Sequence, residues 1–175
     1  MLRQNQRFLK KFKTTKTFQE VFQNSNISNY QYKDALDFFR YFWNLFESYQ
    51  AQKKVNNNVP GRIFEIIIGF ILDYENIEIK SHDEAINGVD FAKPDFVIKK
   101  GDAFISCKTS LRERWKQADW ESIKYKKKFP NAKCYLITNN YLEFKNLKKH
   151  IPKLEIDEIF YADSSDIIKM INKLH

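Results

Sequence analysis

Pro94-Asp95-Phe96-Val97-Ile98-Lys99-Lys100-Gly101-Asp102-Ala103-Phe104-Ile105-Ser106-Cys107-Lys108 is the stretch from which the fold of this chain can be read. Two short apolar runs, 95–98 and 103–108, flank Lys-Gly-Asp, a tight-turn signal. That pattern predicts a β-hairpin. Antiparallel pairing then sets Asp95 and Lys108 at the same end of neighbouring strands.

The elements around the hairpin are read from periodicity. Upstream, Ala35, Leu36, Phe38, Phe39, Phe42, Trp43, Leu45, Phe46 and Tyr49 recur at helical spacing and predict a helix over 31–54. A loop rich in asparagine ends at Gly61, and a nearly all-apolar, buried helix is expected over 62–74, followed by a strand at 77–79. Downstream, a helix is expected over 112–128, stopped by Pro130, then a strand at 132–138, a short helix at 142–150 and a strand at 156–161. A terminal helix at 166–174 closes the chain. This order predicts an α/β fold, a mixed central sheet flanked by helices. One domain is expected over 1–175, with a basic arm and helical subregion at 1–58 and an α/β core at 59–175.

Composition narrows the partners. The 175 residues are 43% hydrophobic and 30% charged, which suits a globular rather than a disordered chain. A net charge of +8 favours a polyanion, either nucleic acid or an anionic membrane surface. No apolar run is long enough to span a bilayer, and the basic N-terminus is not followed by the apolar stretch of a signal peptide. Cys107 and Cys134 sit in strand-like runs without zinc-ligand spacing and read as reduced core residues of a cytoplasmic protein.

The chemistry centres on Asp95 and Lys108, with Glu65 on the buried helix before them. Carboxylate oxygens can hold Mg²⁺, which stabilises charge on a phosphate and lowers the pKa of an attacking water. A lysine beside them can orient that water or stabilise the developing anion. An acid within Ile63-Phe64-Glu65-Ile66-Ile67-Ile68 is costly to bury without a partner, so Glu65 is expected at a polar cleft.

Pro94-Asp95 and Ser106-Cys107-Lys108, together with the element order, resemble the PD-(D/E)XK nuclease superfamily, over roughly residues 65–138. One departure is that Ser106 stands where the pattern has its middle acid. Lys108-Thr-Ser-Leu-Arg-Glu-Arg-Trp-Lys-Gln-Ala-Asp-Trp-Glu121 resembles, more closely, the type II restriction endonucleases that cut sites built on CCGG or CC(A/T)GG. That resemblance implies a Mg²⁺-dependent endonuclease acting on double-stranded DNA, with the missing carboxylate supplied from the following helix by Glu121. It implies metal ligation by Asp95, Glu121 and the backbone carbonyl of Cys107, with Glu65 a further catalytic acid. Arg112-Glu113-Arg114 matches the group's base-reading triplet, and Gln117 shares the helix face. Arg can pair bidentately with guanine and Glu can accept from cytosine N4. The interval from Asp95 to Lys108 is shorter than in that group. A palindromic site implies a homodimer, and a cognate DNA methyltransferase is the expected genetic, not physical, partner.

Two other functions stay open: a structure-selective or repair nuclease of the same superfamily, and a non-catalytic DNA-binding module. Lys10, Lys11 and Lys116 are candidate phosphate contacts, the first two on a basic arm expected to be extended or a short helix. Trp115 and Trp120 read as core. Asp119 stands in reserve as a ligand beside Glu121, and His82, His150 and His175 receive no role.

Overall fold

The computed structural model describes residues 16–22, 27, 30–82, 94–98 and 103–175. Lys10, Lys11 and the hairpin turn at 99–102 lie outside the described residues. Within the basic N-terminal region a helix forms, α1 (Lys16–Phe22), whose Phe18 and Phe22 share one face and are buried. Phe18 stacks on Phe70 at 6.0 Å, and Phe22 meets Phe42 edge-on at 5.6 Å.

Helix α2 (Ala35–Gln52) starts at Asp34, whose carboxylate accepts the Asp37 amide at 2.8 Å. Such a cap satisfies a backbone donor that the first turn leaves open. Its buried stripe is Ala35, Phe38, Phe39, Phe42 and Phe46. Helix α3 (Val59–Tyr74) begins earlier than Arg62, because Pro60 fits a first turn, where its missing N–H is not needed. At its other end Asn76 takes a left-handed backbone (φ 58°), a conformation asparagine tolerates. The Asn76 amide bonds the Asp73 carbonyl at 3.1 Å and the Ile77 amide the Leu72 carbonyl at 2.8 Å. Ile77 therefore caps a helix, and the strand expected at 77–79 starts only at Ile79.

Five strands form one sheet in sequential order: β1 (Ile79–His82), β2 (Phe96–Ile98), β3 (Ala103–Lys108), β4 (Lys133–Thr138) and β5 (Glu158–Tyr161). β1, β2 and β3 pair antiparallel, with Phe96 opposite Ile105 and Ile98 opposite Ala103. β3, β4 and β5 pair parallel. The parallel pairs need crossovers, supplied by α4 (Arg114–Lys128) and α5 (Tyr141–Lys148), with a 3₁₀ turn at Ile151–Lys153. α6 (Asp166–Leu174) ends the chain where its pattern placed it. The expected α/β architecture is present, with several element ends displaced by a few residues.

Strand alternation sorts the helices onto two faces. Phe96, Ile98, Ala103, Ile105, Cys107, Tyr135, Ile137 and Phe160 join α1, α2, α3 and α6 in the larger apolar cluster. Leu136 and Ile159 pack with residues of α4 and α5, while Phe104 and Cys134 meet Tyr125 of α4. The larger cluster runs without a break from Phe18 to Met170, so the helices before residue 58 share a core with the sheet. No helix of the described residues is long and apolar enough to cross a membrane.

Phe38 sits where Tyr30, Tyr32, Phe42 and Tyr74 converge, with ring centroids 4.5–5.7 Å away. Phe38→Ala is expected to cost about 3–5 kcal/mol, since the surrounding rings cannot close the cavity. A urea titration should show the midpoint falling at unchanged slope.

Candidate active site

Asp95 immediately precedes β2, and Lys108 ends β3. Antiparallel register brings them together: Lys108 Nζ stands 2.9 Å from Asp95 Oδ2. The same oxygen accepts the Cys107 amide at 2.6 Å and the Ser106 hydroxyl at 3.4 Å. Both side chains are nearly buried, at 11% and 12% exposure. Burial pushes the Asp95 carboxyl up and the nearby Glu65 charge adds to this, while Lys108 and the Cys107 amide pull it back in part. Burial also draws the Lys108 ammonium down, but Asp95 outweighs it and holds the lysine above its ordinary value. Asp95 Oδ2 thus gathers three donors, Lys108 among them.

Two more carboxylates reach this sheet end, one from each helical layer. Glu65, on α3, accepts from Arg62 Nη1 at 3.0 Å and lies 3.6 Å from His82 Nε2. Glu121, on α4, is buried and accepts from Gln117 Nε2 at 2.9 Å. Burial raises the Glu121 carboxyl, and Gln117 and Lys108 offset this only in part. Asp119 is elsewhere: its carboxylate accepts the Glu155 and Ile156 amides at 2.7 and 3.3 Å. That engagement removes it from the candidate ligands.

A polar cleft of about 540 Å³ opens over the group, lined by Asn56, Asn57, Asn58, Arg62, Glu65, Cys107, Lys108 and Arg114 among others. It lies at the C-terminal ends of the parallel strands, where α/β sheets place ligands.

The segment after Lys108 departs from the expected geometry. The helix begins at Arg114, not Arg112, because Arg112 takes a left-handed backbone (φ 25°) and the Leu111 carbonyl closes a turn onto Arg114 and Trp115. The triplet therefore precedes and opens the helix instead of forming its first turn. Arg114 lines the polar cleft, whereas Arg112 lines a neighbouring, mostly apolar groove with Leu111, Trp115 and Glu143. Glu113 is exposed and pairs with Lys116, itself exposed. Trp115 is half-buried beside the smaller cluster, but Trp120 is 40% exposed with Lys124 over its ring, a solvent-facing position and not core.

Several residues with a place in this arrangement carried no signal in the sequence. Glu143 of α5 accepts the Ser110 hydroxyl and the Leu111 amide, fixing the chain between β3 and α4. His82 is buried against Phe96, its ring 5.1 Å away, and reaches Glu65. Simple alternation from Ile79 would turn His82 outward with Lys80; the register irregularity between Ile79 and Ser81 pairs it with Phe96 on the core face.

No family model matches the chain, and no curated protein is similar in sequence. A solved structure, the restriction endonuclease PspGI in complex with substrate DNA, matches over 98% of this chain and 82% of its own, with a TM-score of 0.57 and 16% identity. The fold is that of a restriction endonuclease. The mixed sheet and its flanking helices belong to that shared fold.

The donor set can be tested against a hard divalent cation. Burial and two carboxylates push the Cys107 thiol well up, so its sulfur stays protonated and only carboxylate or carbonyl oxygens remain as donors. Oxygen donors suit Mg²⁺. Asp95 and Glu121 are both raised, chiefly by burial. Among the described residues no three His, Cys, Asp or Glu groups close around one point. The residues fit such a cation in kind, with Asp95 Oδ2 engaged by Lys108.

The raised Glu121 carboxyl carries a stability consequence. Ionised and buried, it penalises the folded state above its folded pKa, and the penalty disappears as pH falls below the unfolded value near 4.5. Glu121→Gln, which keeps an acceptor for Gln117, should melt higher than wild type at neutral pH in the absence of divalent metal. The difference should shrink as the pH is lowered through the folded pKa. Thermal melts across pH read it directly, and equal midpoints at pH 7 would contradict the burial argument.

Proposed function

We propose that this protein is a Mg²⁺-dependent endonuclease that cleaves double-stranded DNA at a short site containing adjacent G·C pairs, in the manner of a type II restriction enzyme. The observation that carries this is the Asp95–Lys108 pair, 2.9 Å apart, with Lys108 and Glu65 lining a polar cleft and the charge of Glu121 felt by both members of the pair. The shared fold and the net charge of +8 support a DNA substrate.

In the reaction a water oxygen bonds to phosphorus and gives up its proton to solvent, while a phosphodiester P–O bond breaks and the leaving oxygen takes a proton from solvent. Lys108, paired with Asp95, stabilises the negative charge that grows on the phosphate. Asp95, Glu121 and the Cys107 carbonyl, with Glu65 beside them, are the groups that would hold the cation. When bound, Mg²⁺ supplies charge neutralisation and a more acidic water. Gln117 orients the Glu121 carboxylate, and Arg62 does the same for Glu65. Arg114, opening α4 on the cleft, reads a guanine; Arg112, Glu113 and Gln117 are the other base-reading candidates. Lys116, with Lys10 and Lys11 of the N-terminal arm, contacts phosphates. A homodimer would match the symmetry of a palindromic site, and a methyltransferase of the same specificity would protect host DNA.

A second function has one observation in its favour. Ser106 occupies the middle acid position, buried against Asp95, and no three-donor cluster has formed among the described residues, as in a DNA-binding module without catalysis. Incubation of a mixed-sequence plasmid with protein and Mg²⁺ separates the cases. Discrete fragments support the restriction enzyme, a smear indicates a nuclease without site preference, and intact plasmid points to the binding module.

Asp95→Ala and Lys108→Ala are each expected to lower the cleavage rate by ~10²–10³ while duplex binding persists. Each leaves a buried charge unpaired, so Asp95→Asn with Lys108→Met serves as the better-folded inactive control. Near wild-type cutting by either alanine variant removes the pair from the active site.

Arg114→Ala should weaken binding to the cleaved sequence by ~1–3 kcal/mol, and binding to unrelated duplex far less. Sequencing the fragment ends provides the cognate site for that comparison. Ends made only of A·T pairs would remove guanine reading from Arg114.

A further inference from the structure

The Arg114 side of the cleft has a counterpart that the proposed function leaves without a role. Opposite it, from the other helical layer, the chain at 56–62 contributes Asn56, Asn57, Asn58, Gly61 and Arg62 to the same cleft as Glu65 and Lys108. The three asparagines are exposed, so packing does not call for them. A turn accounts for one: Asn56 Oδ1 accepts the Asn58 amide at 3.0 Å, an arrangement in which asparagine imitates a backbone turn. It does not account for the other two. Asn58 precedes α3 with a helical backbone and makes no side-chain cap, so its amide is not spent there. Among the described residues the Asn57 side chain has no protein partner either. Above Gly61 an added Cβ would meet nothing within 4 Å, which leaves the cleft open beside them.

On the proposed nuclease function, we infer that Asn57 and Asn58 are DNA contacts that grip the strand lying over Lys108 from the side opposite Arg114. Their chemistry suits that place. A side-chain amide offers a donor to a phosphate or sugar oxygen and a donor–acceptor pair to a base edge. It does so without adding charge next to Arg62, Lys108 and Glu65. Being uncharged, the contacts release no counterions, so their loss weakens binding at every salt concentration alike.

The experiment uses the full chain, a fluorescein-labelled mixed-sequence duplex and EDTA to prevent cleavage, with binding followed by fluorescence anisotropy over a salt series. Asn57→Ala with Asn58→Ala is expected to weaken binding about tenfold, as two hydrogen-bonding side chains would. The slope of log affinity against log salt should not change, whereas Lys116→Ala should lower it. Asn57→Asp with Asn58→Asp keeps a turn-compatible residue at both positions but faces phosphate with two carboxylates, and should bind more weakly still. Melting temperatures of all variants should match wild type, as expected for exposed side chains. Wild-type affinity in the double alanine variant overturns the inference while leaving the nuclease function standing, and so does a lowered salt slope in that variant. Failure of the wild-type chain itself to bind duplex DNA overturns both.

Discussion

The buried pair of Asp95 and Lys108 is the contact on which the rest of the site depends. A carboxylate and an ammonium almost removed from water would each cost several kcal/mol alone. Together they are tolerable because Asp95 Oδ2 collects the lysine, the Cys107 amide and the Ser106 hydroxyl at once. That arrangement fixes the hairpin: slipping β2 against β3 by one residue would turn every side chain to the wrong face and break all three bonds. Register, burial of Phe96 and Ile105, and the ion pair are thus one constraint.

Around that pair the charges are left unbalanced. Glu65 arrives with Arg62 and His82 for company, and Glu121 with Gln117 and the charge of Lys108. Burying carboxylates with too few cations costs stability, which a protein recovers when the site binds a positive ion. The Arg114 side of the cleft shows the reverse sign, its guanidinium lining open space suited to an anion. Local rules are broken where function would need it, and kept in the core.

Much of this was legible in the sequence, for identifiable reasons. The hairpin could be read because its apolar runs are short and its turn distinctive, and Asp95 with Lys108 followed from pairing alone. The stripe of α2 and the pattern of α6 are strongly periodic, and both appear as expected. Glu65 was found because a lone acid in an apolar run needs an explanation. Element boundaries failed where backbone bonds decide them: Pro60 let α3 start early, and Ile77 was drawn into a helix cap. Arg112 was taken for helix because nothing in its side chain announces a left-handed backbone. Trp120 was taken for core because an aromatic residue near a helix centre usually is, yet its side of α4 faces solvent. Glu143 and His82 were invisible because their roles arise from tertiary contact between distant segments.

The two acidic groups flanking Lys108 come from helices on opposite faces of the sheet, Glu65 from α3 and Glu121 from α4. Neither layer by itself holds more than half of the charged set. A chain emerging from the ribosome makes α3 and the strands β1 to β3 before α4, so Glu121 is the last of the four groups to be made. The charged set is complete only when both helical layers are packed on the sheet. For a protein whose proposed chemistry could damage the cell that makes it, this ties the charged set to a fold in which both layers are in place.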